Sequence, residues 1–345
     1  MADDLRVFAR DLFAHAGLPP AHAAVTADTL VEGDLMGHTT HGLALLGPYL
    51  GQFQRGAWQA SGAPTVIADA PAAQTWDGGF LSGPWLTTQA ANWASARAAE
   101  TGLASVAIGR SGHIAALAAY LRPIAEAGQM IVIACSDPAA ASVAPFGGTR
   151  RLMTPNPLAA GWPSPGGPVM LDVSMSITTN GMTNRKRAEG AKFDHPWLLD
   201  ADGLPTNDPD AFFTDPGGTL MPLGGAEAGH KGYALALLVE AMTSGLAGFG
   251  RAPGPGGWGA STFILVMDPS RFAGAQAFAT EAAWMADAVA TNPAADPGNP
   301  PRLPGARALA LRTRQLADGV RLHPSIPPVL RRLADEHGIA MPASL

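Results

Sequence analysis

Two short segments carry residues suited to moving a proton. Gly37-His38-Thr39-Thr40-His41-Gly42 sets a hydroxyl beside an imidazole in a glycine-flanked turn. Ser111-Gly112-His113-Ile114 sets a second imidazole just past an apolar run, Ala104 to Ile108. Imidazole suits proton transfer at neutral pH because its ordinary pKa lies near the working pH. Both histidines stand where one predicted element gives way to another, a position from which side chains reach into clefts. A third segment, Gly229-His230-Lys231-Gly232, precedes an apolar stretch. Its glycines permit close backbone approach, a helix starting there offers free amides to an anion, and Lys231 adds a mobile charge.

Other chemistries lack their residues. No Ser or Thr follows Lys231, so the third segment is not a P-loop. Gly109-Arg110-Ser111-Gly112 lacks the spacing of a dinucleotide fingerprint and its downstream acid. No G-x-S-x-G elbow is present. The nine histidines are scattered without His-x-x-x-His spacing, so no metal site is expected.

These segments need elements to hold them. Periodicity predicts helices over 3–16, 21–36 and 43–55, which leaves Thr39 to His41 in a helix–helix connection. Strand 104–108, helix 114–126 and strand 130–136 read as a β–loop–α–β unit in an α/β sheet with parallel neighbours. A short strand is expected at 65–68, a helix at 85–100, a long loop over 144–168 and a strand at 169–173. A turn-rich section then leads to a helix over 233–246, a strand over 262–267 and helices near 275–289, 306–316 and 326–336. Residues 292–304, rich in proline, form the best linker.

The chain has 345 residues, too many for one ordinary core, so two or three lobes are expected. Hydrophobic residues reach 47% and charged ones only 14%, which predicts large buried surfaces within or between subunits. A net charge of −6 gives no footprint for nucleic acid, and the short cluster Arg185-Lys186-Arg187 reads as a solvated face. No apolar window has membrane-spanning length, so no membrane partner is expected. The single cysteine, Cys135, lies in an apolar run and reads as a small buried hydrophobe. Its solitude and the acidic start Met1-Ala2-Asp3-Asp4 predict a cytoplasmic setting.

Taken in order, these blocks resemble the malate/L-lactate dehydrogenase family of NAD(P)-dependent oxidoreductases, which also includes enzymes of ureidoglycolate, sulfolactate, diketogulonate and piperideine-2-carboxylate. The resemblance runs through Gly33-Asp34-Leu35, Thr40-His41-Gly42, Ser111 to His113, Val143 to Gly148 and Asn156-Pro157. It continues through Leu171 to Ser176, Asp202 to Thr206, Gly224-Gly225, His230 to Tyr233 and Leu303-Pro304-Gly305. It implies an α/β fold whose mixed-sheet cofactor domain is not of the Rossmann type, with a helical domain built from both chain ends. The expected division is 1–60 with 300–345 as the helical domain, and 61–299 as an α/β cofactor- and substrate-binding region of one or two lobes. The resemblance further implies NAD or NADP as cofactor, a small 2-hydroxy or 2-oxo acid as substrate, and a homodimer. By resemblance His41 is the acid/base, Thr40 tunes it, and His113 shares in proton transfer or positioning. Asp137, Asp172, Val173, Ser174, Met175, Ser176, His230, Lys231, Gly232, Pro304 and Gly305 match the family's cofactor side.

Three departures bear on substrate. Leu45 stands where the family often has a carboxylate-gripping arginine, so Arg110, Arg122 or Arg185 takes that role or the substrate lacks the group. Met182 replaces the aspartate of the imine-reducing branch. Thr154-Pro155-Asn156-Pro157 replaces a Gly-Thr-Asn-Pro block, while the pattern from Ser174 to Met182 is most similar to the diketogulonate-reductase branch.

Overall fold

A computed structural model describes residues 2–342. Helices α1 (Ala2–His15), α2 (Pro20–Leu35) and α3 (Leu46–Gln54) come first, within two or three residues of the predicted bounds. The strands β1 (Thr65–Ala70) and β2 (Ala73–Asp77) form a hairpin, followed by α4 (Gly83–Thr101) and β3 (Leu103–Ser111). Next come a short helix α5 (Leu121–Glu126) and the strands β4 (Met130–Ser136), β5 (Leu158–Trp162) and β6 (Val169–Val173). Helix α6 (Asn180–Ala188) leads into a small sheet of β7 (Leu198–Leu199), β8 (Pro205–Thr206) and β9 (Thr219–Leu220). The chain ends with α7 (Gly225–Glu240), β10 (Ala260–Met267), α8 (Ala275–Ala290), α9 (Ala306–Asp318) and α10 (Ile326–His337).

The main sheet has seven strands in the order β1-β2-β3-β10-β4-β5-β6. Only β2 and β3 pair in parallel; β10 runs antiparallel to both β3 and β4. The expected parallel neighbours are therefore corrected: β3 and β4 lie one strand apart, and β10 fills the gap. Side chains alternate between faces, as strand geometry requires. Ile131, Ile133, Ile264 and Val266 pack with Leu86, Ala90 and Ala94 of α4, whereas Ala134 and Phe263 pack with Ala236 and Val239 of α7. A second core joins both chain ends, with Leu12, Phe13, Leu30 and Tyr49 against Leu330 and Leu333 of α10. Among the described residues no helix is long and apolar enough to cross a membrane.

Four local expectations are corrected. The helix predicted over 114–126 is extended at its start: Ala115 has φ +57°, and helical turns begin only at Leu117. Tertiary bonds hold that conformation, since the Tyr120 hydroxyl donates to the Ile114 carbonyl and the Ala118 amide donates to Asp172 Oδ2 (2.9 Å). The predicted loop over 144–168 contains β5, whose apolar run is masked by prolines on both sides. The turn-rich section contains α6, capped by Thr179 Oγ1 accepting the Met182 amide (3.2 Å). Finally, the helix predicted from 233 starts at Gly225, so Gly229 to Gly232 belong to its body. The two glycines there serve packing: a Cβ on Gly232 would lie 2.4 Å from the Leu223 carbonyl oxygen, and one on Gly229 3.0 Å from Phe146.

Candidate active site

The turn after α2 is built around a buried carboxylate. Asp34 Oδ2 accepts the Leu43 amide at 2.7 Å, and a Cβ on Gly42 would stand 2.3 Å from that oxygen. Glycine is required at 42 for this close approach. Gly33 has the same role from the helix side, where a Cβ would lie 3.0 Å from the His41 carbonyl oxygen. Burial raises the Asp34 pKa to about 7, against the opposing pull of the Leu43 amide and Arg185. Arg185 of α6 donates to the Thr39 hydroxyl (2.9 Å) and carbonyl (3.2 Å), tying the turn to that helix.

On this turn the Thr40 hydroxyl lies 2.8 Å from His41 Nδ1. Among the described residues Nε2 has no hydrogen-bond partner, and the ring lines the cavity described below. Burial lowers the His41 pKa from its usual 6.5; Asp172 raises it in part and His38 lowers it. The ring of His113 is nearly parallel to it, with centroids 5.9 Å apart and planes at 26°.

His113 sits in the extended segment after β3. Its Nδ1 accepts the Ala115 amide (3.2 Å) and lies 2.7 Å from the Tyr49 hydroxyl, which also donates to the His113 carbonyl (2.9 Å). An amide can only donate, so Nδ1 is the acceptor and the ring proton lies on Nε2, with the single Tyr49 proton shared between Nδ1 and the carbonyl. Burial, with His41 adding to it, pushes the His113 pKa down to about 3, so the ring stays neutral at working pH. Trp258 flanks it at 4.9 Å.

Both histidines line a cavity of about 660 Å³. Thr40, Asp137, Asp172 and Ser174 line it too, so the structure brings together six of the residues picked out from sequence. The others lie outside its wall. Val173 is exposed on β6, while Met175 and Ser176 are buried. Pro304 accepts the Met170 amide at the edge of β6 (3.2 Å), and Gly305 passes so near that a Cβ would lie 2.8 Å from the Met170 carbonyl oxygen. His230 and Lys231 are exposed on α7, with the His230 ring 5.7 Å from Phe146, and Gly232 is buried against Leu223.

Leu45 lines the cavity, but none of the three candidate bases does. Arg110 pairs with Asp77 (3.0 Å), Arg122 with Glu126 (2.7 Å), and Arg185 holds Thr39. No lysine or arginine is among the lining residues, and its charged members are Asp137 and Asp172.

A polar network supports the wall formed by Asp137. Arg251 donates to the Asp137 carbonyl (3.0 Å) and to Glu240 Oε1 (2.8 Å), which also accepts from Asn156 Nδ2 (3.0 Å). Asn156 Oδ1 accepts the Thr154 hydroxyl (2.8 Å), and Thr154 faces the cavity. A π-turn at Ala241–Gly245 sets Thr243 2.8 Å from the Ser136 hydroxyl. Sequence reasoning missed Tyr49, Trp258, Asn180, Glu240 and Arg251. Their only signals were an aromatic on a helix read as core and isolated polar residues without a motif.

The wall suits a nicotinamide. Asn180 Oδ1 is buried there without a partner, an acceptor for a carboxamide N–H, and Asp137, Ser136 and Ser174 add polar groups.

Comparison with known proteins identifies the family and the fold. A family model described as malate/L-lactate dehydrogenase matches residues 1–330. A Delta(1)-pyrroline-2-carboxylate reductase from Ancylobacter novellus is 33% identical over 246 residues, covering 71% of this chain and 70% of that protein. A (2R)-3-sulfolactate dehydrogenase (NADP(+)) from Chromohalobacter salexigens is 33% identical over 278 residues, covering 74% of this chain and 77% of that one. Among solved structures, a malate dehydrogenase from Entamoeba histolytica shares the fold with a TM-score of 0.92 at 22% identity, covering 99% of this chain and 98% of that chain.

Proposed function

The chain belongs to the malate/L-lactate dehydrogenase family, whose members are NAD(P)-dependent dehydrogenases and reductases, and from that premise we propose that it interconverts a small 2-hydroxy acid and its 2-oxo acid. The observation that carries this reading is His41, held at Nδ1 by Thr40, without a partner at Nε2 among the described residues, and lining a cavity shared with a neutral His113. NAD or NADP, when bound, supplies or accepts the hydride; Ser136, Asp137, Asp172, Ser174 and Asn180 would hold its nicotinamide end. His41 in its protonated form donates from Nε2 to the substrate oxygen while Nδ1–H donates to Thr40 Oγ1, which keeps the ring oriented. In the oxidative direction neutral His41 takes the proton back. His113 donates from Nε2 without changing charge, so it orients substrate or cofactor. The roles proposed for His230, Lys231, Gly232, Pro304 and Gly305 rest on the family resemblance alone.

A second reading is reduction of a carbonyl or imine that lacks a carboxylate anchored by a cation. It is favoured by Leu45 at the cavity wall and by the likeness to the pyrroline-2-carboxylate reductase. Fluorescence titration with NADH and NADPH, followed by oxo-acid and imine panels at the nicotinamide absorbance, tests both. Saturable binding with oxo-acid turnover supports the first reading, and imine turnover alone supports the second. Binding without any turnover identifies an idle nucleotide-binding relative.

The working unit we propose is a homodimer. Leu235 (45% exposed) and Leu238 (50%) of α7 and Trp284 (64%) of α8 present apolar surface to solvent, and α8 has no buried residue. Light scattering that gives a monomer mass at micromolar concentration would overturn this.

A further inference from the structure

The cavity's charge and its apolar lining residues say more about the substrate than the family does. Its lining carries two carboxylates, Asp137 and Asp172, and neither lysine nor arginine. Its two facing histidines lose positive charge rather than gain it, because both are buried. The lining also has apolar members, Leu45, Met182 and Trp258, the last of which lies beside His113. Gly181 itself packs against Thr40, where a Cβ would lie 3.2 Å from the Thr40 Cβ, so the start of α6 and the turn that carries His41 meet at the cavity that Met182 also lines.

We infer that the substrate is a 2-oxo (or 2-hydroxy) acid carrying a single negative charge and an apolar side chain, which rests against Leu45, Met182 and Trp258. This rests on the hydride-transfer reading above. A second carboxylate or a sulfonate would enter a pocket that offers it no cation and already carries two carboxylates. At an effective dielectric constant near 20 and a separation of about 8 Å, repulsion by each costs roughly tenfold or more in affinity. An alkyl or aryl group instead replaces water along the apolar lining residues, which favours it over the methyl group of pyruvate. The single carboxylate would rest on neutral donors of the lining, among them His113 Nε2–H and Asn184 Nδ2.

The test uses the wild-type protein with its preferred nicotinamide cofactor and six substrates: pyruvate, 4-methyl-2-oxopentanoate, phenylpyruvate, oxaloacetate, 3-sulfopyruvate and 1-pyrroline-2-carboxylate. The expected result is a kcat/KM for 4-methyl-2-oxopentanoate or phenylpyruvate at least about tenfold above that for oxaloacetate and sulfopyruvate. Leu45→Arg is expected to raise the oxaloacetate value and lower that for the apolar acids. Should that variant fail to fold, inhibition of the wild type decides: 4-methylpentanoate should compete with substrate more strongly than succinate. Preference for oxaloacetate or sulfopyruvate, or for the imine, overturns the inference and leaves hydride transfer standing. Turnover of none of the six removes the hydride-transfer reading, and the inference with it.

Discussion

Replacing Thr40 by valine removes one oxygen from the candidate site and little else. Valine has the shape of threonine, so the packing of Thr40 on Gly181, with Cβ and Cγ2 at 3.2 and 3.6 Å from a Cβ built there, is retained. What is lost is the 2.8 Å contact with His41 Nδ1. In the reductive direction that ring is charged before it gives up its proton, and the hydroxyl is the acceptor for Nδ1–H. A hydrogen bond to a charged group contributes about 1.5–3 kcal/mol, and the bond matters most while the ring is an imidazolium. At 1.36 kcal/mol per pKa unit, Thr40→Val should lower the His41 pKa by about one to two units, below a value that burial already depresses. Reduction needs the protonated ring, so its rate is high below this pKa and falls as pH rises through it. The variant's falling limb should therefore move to lower pH. Near neutral pH kcat should drop by about ten- to a hundredfold, with little change in cofactor affinity. Thr40→Ser keeps the hydroxyl and should stay close to wild type. Steady-state reduction of an accepted oxo acid, followed over pH about 5 to 9 for all three proteins, reads both quantities. A valine variant with an unshifted limb and wild-type kcat, or a serine variant as impaired as valine, would refute the reasoning.

Three further outcomes follow from the same geometry. His41→Ala should cost about 100- to 10,000-fold in kcat with cofactor dissociation nearly unchanged, measured by steady-state kinetics and fluorescence titration; an active variant would remove His41 from the chemistry. Asp34 titrates near 3.8 when unfolded but at about 7 when folded, so its contribution to stability is present below the first value and is lost as pH rises to the second. Asp34→Asn, which keeps an acceptor for the Leu43 amide, should gain up to about 4 kcal/mol over wild type at pH about 8 and progressively less toward pH about 5; chemical denaturation at both pH values reads the difference, and a constant gap would refute it. Arg251→Met leaves Glu240 without its ion pair and frees the Asp137 carbonyl, so it should destabilise the fold by about 3–5 kcal/mol and weaken cofactor binding. Unaltered denaturation would show that the pair contributes little.

Much of this architecture is legible in the chain. The amphipathic spacing of Leu5, Phe8, Leu12 and Phe13 marks α1, and similar periods mark α9 and α10, because one face of each helix must be buried. The two histidines are legible because glycines bracket or precede them. What escapes is whatever depends on contacts distant in sequence. The alanine-rich segment from Ile114 reads as helix by propensity, yet Asp172 and Tyr120 hold its start extended. Gly229 and Gly232 read as an anion cradle, but their lack of side chain lets α7 lie against Phe146 and Leu223. Tyr49 looks like any core aromatic until its hydroxyl is found beside a histidine 64 positions away. Glu240 and Arg251 flank a π-turn, a geometry with no sequence period to announce it. The position of β10 between β3 and β4 is invisible for a related reason: alternation reports that a strand is half-buried, not which neighbours it meets.

That inserted strand also sets a timetable for the nascent chain. Hydrogen bonding joins β1–β3 to β4–β6 only through β10, and β4 ends at Ser136 whereas β10 begins at Ala260. Until β10 is made, the edges of β3 and β4 that pair with it have no partner strand between them. Unpaired edges of this kind invite pairing with other chains, and contacts of such long sequence separation form slowly. A chain released before β10 is complete cannot join its halves, however well each is formed. The main sheet is thus sealed late, and the exposure of its unpaired inner edges to other chains ends only then.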